Sequence, residues 1–193
     1  MTEPKNMKQR CPWTKDEPIM NKYHDTEWGV PVHDDKKLFE FMVLDSFQAG
    51  LSWLTVLRKR EHFRKAFADF DVNKVAEFDE DKIAELLQNK DIIRNRLKIR
   101  GTVKNAIAFK KIREEFGSFD DYIWRFAGGK TITNRWEKLE QIPASTKESD
   151  SMSKDLKKRG FTFVGTTICY AFMQAAGMVN DHLVSCFRYK EIL

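Results

Sequence analysis

The sequence predicts an all-α fold, and three features carry that prediction. Apolar residues recur three and four positions apart along most of the chain. Asp, Ser and Gly fall where such stretches need to start and stop. No two segments alternate apolar and polar residues convincingly enough to make a strand pair.

The elements follow in chain order. Met1 to Arg10 is polar with scattered lysines; it is expected to be a disordered tail and lacks the apolar stretch of a secretory signal. Asp34 or Asp35 caps a helix through Leu38, Phe39, Met42, Val43 and Phe47 that stops near Gly50. A second helix runs from about Ser52 past Trp53, Val56, Leu57 and Phe63 to Phe67. Asp71 and Asp79 cap two short helices, one with Val75 and Phe78, the other with Ile83, Leu86 and Leu87. Ile92 to Ile99 reads as a further helix. Gly101 precedes a longer one, Val103 to Phe116, ended by Gly117. Ser118 and Asp121 make a capping-box-like start for Tyr122, Trp124 and Phe126, and Gly128-Gly129 breaks the chain. Residues 130–150 are the least regular, with Pro143 and the Ser/Thr-rich run Ala144 to Ser151. A short basic helix, Ser149 to Arg159, stops at Gly160. Val164 to Ala176 forms an apolar helix, and Asp181 to Cys186 a last turn or two.

A chain of 193 residues fits one domain, here residues 11–193, with ample room for a core. No apolar run approaches membrane-spanning length. Three cysteines argue for a reducing cytoplasm and against a disulfide framework. The net charge of +5 permits a polyanionic partner without requiring one. A monomer is expected.

Two Cys/His pairs close the ends of the chain. Cys11 and His24 lie near the N-terminus, His182 and Cys186 near the C-terminus. Together they supply the four ligands of a tetrahedral structural zinc site. The spacing of His182 and Cys186 would place both on one helix face; Cys11 and His24 would need a looped segment. Spacing alone leaves zinc and chance placement equally open, because the pattern is no standard finger. Cys169 reads as a small core residue, and His33 and His62 as surface residues. A shared ion would join the terminal segments, about 11–35 and 130–190, into one lobe, leaving about 36–129 as the other.

Two further clusters could carry chemistry. Tyr23-His24-Asp25-Thr26-Glu27-Trp28-Gly29 and Leu44 to Trp53 are dense in aromatics. Tyr23, Trp28 and Trp53 suit core packing, the usual fate of such rings, or a slot that grips a flat ring. Asp45 sits on an otherwise apolar helical stretch, so its carboxylate must be exposed, paired or functional. The run Lys90 to Gly101 is dense in cations and reads as a solvated helical face or as a phosphate contact.

Cys11-x-Trp13, Tyr23 to Pro31, Gln48 to Trp53, Lys157 to Gly165 and Val179 to Cys186 resemble the DNA-3-methyladenine glycosylase I family, in matching order and spacing over nearly the whole chain. The resemblance implies a helix-hairpin-helix DNA glycosylase fold. It implies one structural zinc on Cys11, His24, His182 and Cys186, and a hairpin at about Asn89 to Asn105 whose Arg94, Arg96, Lys98 and Arg100 meet the DNA backbone. The hairpin Gly here is not the usual Gly-x-Gly.

The implied substrate is 3-methyladenine in double-stranded alkylated DNA, flipped out of the stack, released as the free base and cut without strand cleavage. Asp45 would be the catalytic carboxylate that accepts from the exocyclic amine. Tyr23 and Trp53 would sandwich or abut the base, and Trp13 and Trp28 would complete the pocket. Gly50-Leu51 would be the wedge. The chain departs from the family at Asp45, where Glu is usual, at Ser46, where Gly is usual, and at Met20, where some relatives carry Tyr. A non-catalytic binder of damaged DNA or methylated bases is the alternative. A catalytic zinc hydrolase is disfavoured, because two Cys and two His leave no open position for water.

Overall fold

The computed structural model describes residues 8–192. Ten helices carry nearly all of the regular structure there: α1 (Pro18–Thr26), α2 (Asp35–Gln48), α3 (Trp53–Ala66), α4 (Val72–Ala76), α5 (Glu80–Gln88), α6 (Arg96–Phe116), α7 (Phe119–Ile123), α8 (Lys147–Lys158), α9 (Thr166–Ala175) and α10 (Phe187–Glu191). The caps are those the sequence offers. Asp34, Ser52, Asp71, Asp79 and Ser118 each accept from a backbone N–H in the first turn of α2, α3, α4, α5 and α7.

The fold is built around α2. Every residue from Leu38 to Phe47 is buried, so this helix is enclosed on all sides rather than amphipathic. Helices α3, α6, α7 and α9 pack around it. Phenylalanines fill the joints: Phe39 meets Phe109 at 5.4 Å between ring centroids, Phe109 stacks on Phe119 at 3.9 Å, and Phe47 meets Phe63 at 4.6 Å. Each such ring contributes about 1.5–3 kcal/mol when fully buried.

One charged cluster crosses this core. Glu40 of α2 accepts from Arg60 and Arg64 of α3, both at 2.8 Å, and from Lys37 at 2.9 Å. Arg60 also holds Glu27, just after α1, through two bonds of 2.8 and 2.7 Å. Burial works against the Glu40 charge, but the Arg60 bond and charge, with Lys37, hold the carboxyl down from 4.5 to about 2.

The structure corrects several expectations. Residues Met1 to Met7 of the expected tail lie outside the described residues, whereas Lys8 to Arg10 are anchored. The Phe187 N–H donates to Gln9 O at 2.9 Å, and Arg10 grips Asp25 with bonds of 2.7–3.0 Å. Helix α1 was not anticipated; Pro18 at its first position is the signal. Residues 89–95 form a turn rather than the start of a helix. Asn95 then caps α6, and Gly101 lies inside that helix rather than before it. Gly101 is needed for close approach: a Cβ there would lie 2.8 Å from Thr162 Oγ1 and 2.9 Å from the Phe163 ring. The basic helix starts at Lys147, capped by Thr146. A short parallel pair, β1 (Ile132–Thr133) with β2 (Val179–Asn180), joins the irregular middle segment to the C-terminal one. His182 to Cys186 is not helical: Cys186 is the residue that precedes α10.

Candidate base pocket and metal centre

A cavity of about 290 Å³ opens between α1, α2, α3 and α9. Its lining includes Trp13, Tyr23, Trp28, Asp45, Trp53 and Gln174. Tyr23 lies on α1, Asp45 on α2 and Trp53 opens α3, so one turn, Ala49 to Ser52, links the carboxyl to the indole. The Tyr23 and Trp53 rings touch each other, with centroids 5.2 Å apart and tilted by 54°. Rings in contact leave no space for a third between them. They therefore form one continuous wall rather than the two jaws of a sandwich.

Asp45 is 4% exposed, and its Oδ2 has no hydrogen-bond partner among the described residues. Burial pushes this carboxyl well above the usual range. Tyr23 is likewise pushed up, first by burial and then by Asp45 and Glu27, so the phenol stays neutral. The indole Nε1 atoms of Trp13 and Trp53 are also buried without partners. Three unmet polar atoms around one cavity are costly in the free protein. Such a cost is characteristic of a surface shaped for a polar, flat guest.

The second site adjoins this one. Cys11, His24, His182 and Cys186 are all buried, and their candidate ligand atoms lie within 4.8 Å of one another. Cys186 Sγ is 3.4 Å from His24 Nε2 and 3.6 Å from His182 Nδ1, and Cys11 Sγ is 3.7 Å from His182 Nδ1. A zinc tetrahedron with bonds of about 2.3 Å to sulfur and 2.0 Å to nitrogen has S···N edges of about 3.6 Å. The donor set and its spacing therefore fit that ion. The outer ring nitrogens are engaged as a metal site requires: His24 Nδ1 meets Asp25 at 2.8 Å, and His182 Nε2 meets Trp28 O at 3.1 Å. Backbone N–H of Leu183 points at Cys11 Sγ, 3.4 Å away. Cys11, then His182 and His24, draw the Cys186 thiol down against its burial, so one thiol of the pair favours the thiolate form a metal ligand needs.

The two sites share a wall. Trp28 lines the cavity with its ring while its carbonyl holds His182. Trp13, just after Cys11, packs on Trp28 at 5.0 Å and on His24 at 5.3 Å. Gly29, at φ +78°, lets His182 approach, since a Cβ there would sit 3.1 Å from Nε2.

The methyladenine glycosylase family profile matches residues 13–189. DNA-3-methyladenine glycosylase 1 of Escherichia coli (strain K12) is 49% identical over 181 residues, 94% of this chain and 97% of that protein. The chain belongs to the methyladenine glycosylase family. A crystal structure of 3-methyladenine DNA glycosylase I is similar at a TM-score of 0.91 and 50% identity, covering 93% of this chain and 98% of that one. A variant of such a glycosylase in complex with 3-methyladenine matches at 0.90 and 35% identity, covering 92% and 96%.

Against this family background, most of the residues singled out in the sequence come together. Tyr23, Trp53, Trp13, Trp28 and Asp45 line one cavity, and the four Cys/His residues converge beside it. Gly50 and Leu51 lie on the turn at the cavity's edge; Gly50 has φ +80° and Leu51 is 43% exposed. Arg94 and Arg96 are exposed before and at the start of α6, and Arg100 is held by Glu80. Lys98 is a correction. It is 6% exposed and turned inward, so it is not available to a phosphate. Gln48, Ile142, Ala171, Gln174 and Ala175 were missed. Ala171, Gln174 and Ala175 share an i, i+3, i+4 face of α9, a signal that was readable. Gln174 is fixed by Asp181, a buried carboxylate that also accepts from Asn134, Trp136 and Tyr170 at 2.6–2.8 Å.

Proposed function

We propose that this protein is a monofunctional base-excision enzyme that removes 3-methyladenine from alkylated double-stranded DNA. The observation that carries this reading is the cavity walled by Tyr23 and Trp53, with the unpartnered carboxyl of Asp45 inside it. An N3-alkylated adenine is cationic while still attached to its sugar. Electron-rich rings attract such a ring, and the Asp45 carboxylate accepts from its exocyclic N–H. Burial disfavours the Asp45 charge in the empty pocket, and an arriving cation removes that penalty. An uncharged adenine offers no such compensation, so discrimination follows from charge.

Hydrolysis breaks the bond between the sugar C1′ and ring N9. The bonding electrons neutralise the ring, so the leaving base needs no general acid. Water adds at C1′ and loses a proton to solvent. No lysine is placed as a nucleophile in the cavity lining, so the strand remains uncut.

The nucleotide must leave the stack to enter. Leu51, exposed on its turn, is suited to fill the gap, and the segment from α5 to α6 acts as the helix-hairpin-helix element. There Arg94 and Arg96, with the free N–H groups at the start of α6, engage phosphate. Residues 36–129 form this DNA-facing lobe, and the terminal segments form the other. Zinc on Cys11, His24, His182 and Cys186 would be structural: it would fix the terminal lobe and the Trp28 wall and take no part in bond breaking. Among the described residues no helix is long and apolar enough to cross a membrane.

Incubation with methylated duplex DNA and chromatography of the products tests the reading. Free 3-methyladenine is expected, with strands intact until alkali is added. Tight binding of the free base without any release would instead support a non-catalytic binder.

A further inference from the structure

Lys98 is the one cation of the α6 start that turns inward. Its Nζ donates to Phe47 O at 2.9 Å and to Ala49 O at 2.5 Å. Those carbonyls end α2. The N–H of Leu51, which a continuing helix would give to Phe47 O, goes to Gln48 O instead, at 2.6 Å. Helix α2 has no basic residue in its own last turn. Lys98 therefore supplies from another helix both the missing donor and the positive charge that a helix C-terminus favours.

The other end of this contact is equally defined. The backbone N–H of Lys98 is held by the Asn95 cap at 3.1 Å, between the exposed Arg94, Arg96 and Leu97. One side chain thus joins the exposed cationic turn before α6 to the turn that carries Gly50 and Leu51. That second turn in turn connects Asp45 on α2 to Trp53 on α3.

We propose that Lys98 is a positioning residue: it couples docking of the α6 start on the DNA backbone to insertion of Leu51. This rests on the glycosylase reading above, in which Leu51 enters the duplex. Lys98 touches neither base nor phosphate. It makes the two turns one unit, so phosphate contact holds Leu51 at the correct depth during flipping.

The test compares excision from methylated duplex DNA with excision from the same DNA denatured in the cold with formamide and freed of it, alongside affinity for free 3-methyladenine. Replacing Lys98→Met keeps the length and removes the donor. It is expected to slow duplex excision about tenfold, the scale of one lost charged hydrogen bond, while denatured DNA and free-base affinity are unchanged. Lys98→Arg should restore most of the loss. In a Leu51→Ala background, Lys98→Met should add little, because both changes remove the same step. An equal loss on both DNAs, an unchanged duplex rate, or full additivity with Leu51→Ala would overturn the proposal. Should Lys98→Met not fold, Lys98→Gln, with a neutral amide in place of the ammonium, enters the same comparison. No release by the unaltered protein would refute the glycosylase reading instead.

Discussion

At the residue scale, Asp45 shows how a costly group marks a site. A carboxyl pushed up by burial binds a proton in the folded state that the unfolded chain has already released. Stability contributed by that site is therefore greatest below the unfolded pKa and falls as pH rises above it. Asp45→Asn removes the titration, so it should raise Tm at pH 7–8 while lowering kcat/KM about a hundredfold. Thermal melts at pH 5 and pH 8 check the first half: the gain should be larger at pH 8. Asp45 was visible in the sequence because it interrupts an apolar helix. Its unpartnered Oδ2 was not, since the absence of donors depends on α1, α3 and α9 arriving around it.

At the scale of elements, five helices were legible through their caps and α9 through its apolar run alone, while the capped starts of α6 and α8 were not. Asp34, Ser52, Asp71, Asp79 and Ser118 announce their helices through local hydrogen bonds. The stretch from Ile92 is not helical because two apolar residues in a row carry no period, and the start of α6 is set instead by the Asn95 cap. His182 and Cys186 have helical spacing, but they lie in a non-helical segment where the His182 N–H donates to Asn180 Oδ1 at 3.2 Å. The turn from Ala49 to Ser52 also allows a clear prediction. Leu51→Ala should slow excision from duplex DNA about tenfold or more and leave denatured DNA almost unaffected, because a side chain of that size supplies about 1.5–3 kcal/mol of apolar contact. Single-turnover rates on the two substrates check it.

At the scale of the whole molecule, two clusters tie distant segments. Glu40 lies below its unfolded pKa, so the stability it adds is complete above pH 4.5 and is lost as pH falls through about 2. Glu40→Gln should cost about 3 kcal/mol at neutral pH, the scale of breaking a buried pair, and should flatten the acid limb of the stability curve. Urea melts from pH 7 to pH 3 check both. The Cys/His cluster gives the second prediction. One equivalent of zinc is expected per chain by elemental analysis. Stripping it with a chelator, or Cys186→Ala, should lower Tm and reduce excision only in proportion to the folded protein remaining. Loss of activity at full folding would contradict a purely structural ion.

The meeting of Cys11 and His24 with His182 and Cys186 also orders events during synthesis. Trp13, Tyr23 and Trp28 emerge from the ribosome before the middle helices, and the imidazole and thiol that meet Cys11 and His24 emerge after them. Closing a loop that spans most of the chain is entropically slow. A nascent chain can thus fold its middle helices while still unable to hold a damaged base. The pocket should mature in one late step and, with zinc held as proposed above, that step should depend on the supply of free zinc in the cell.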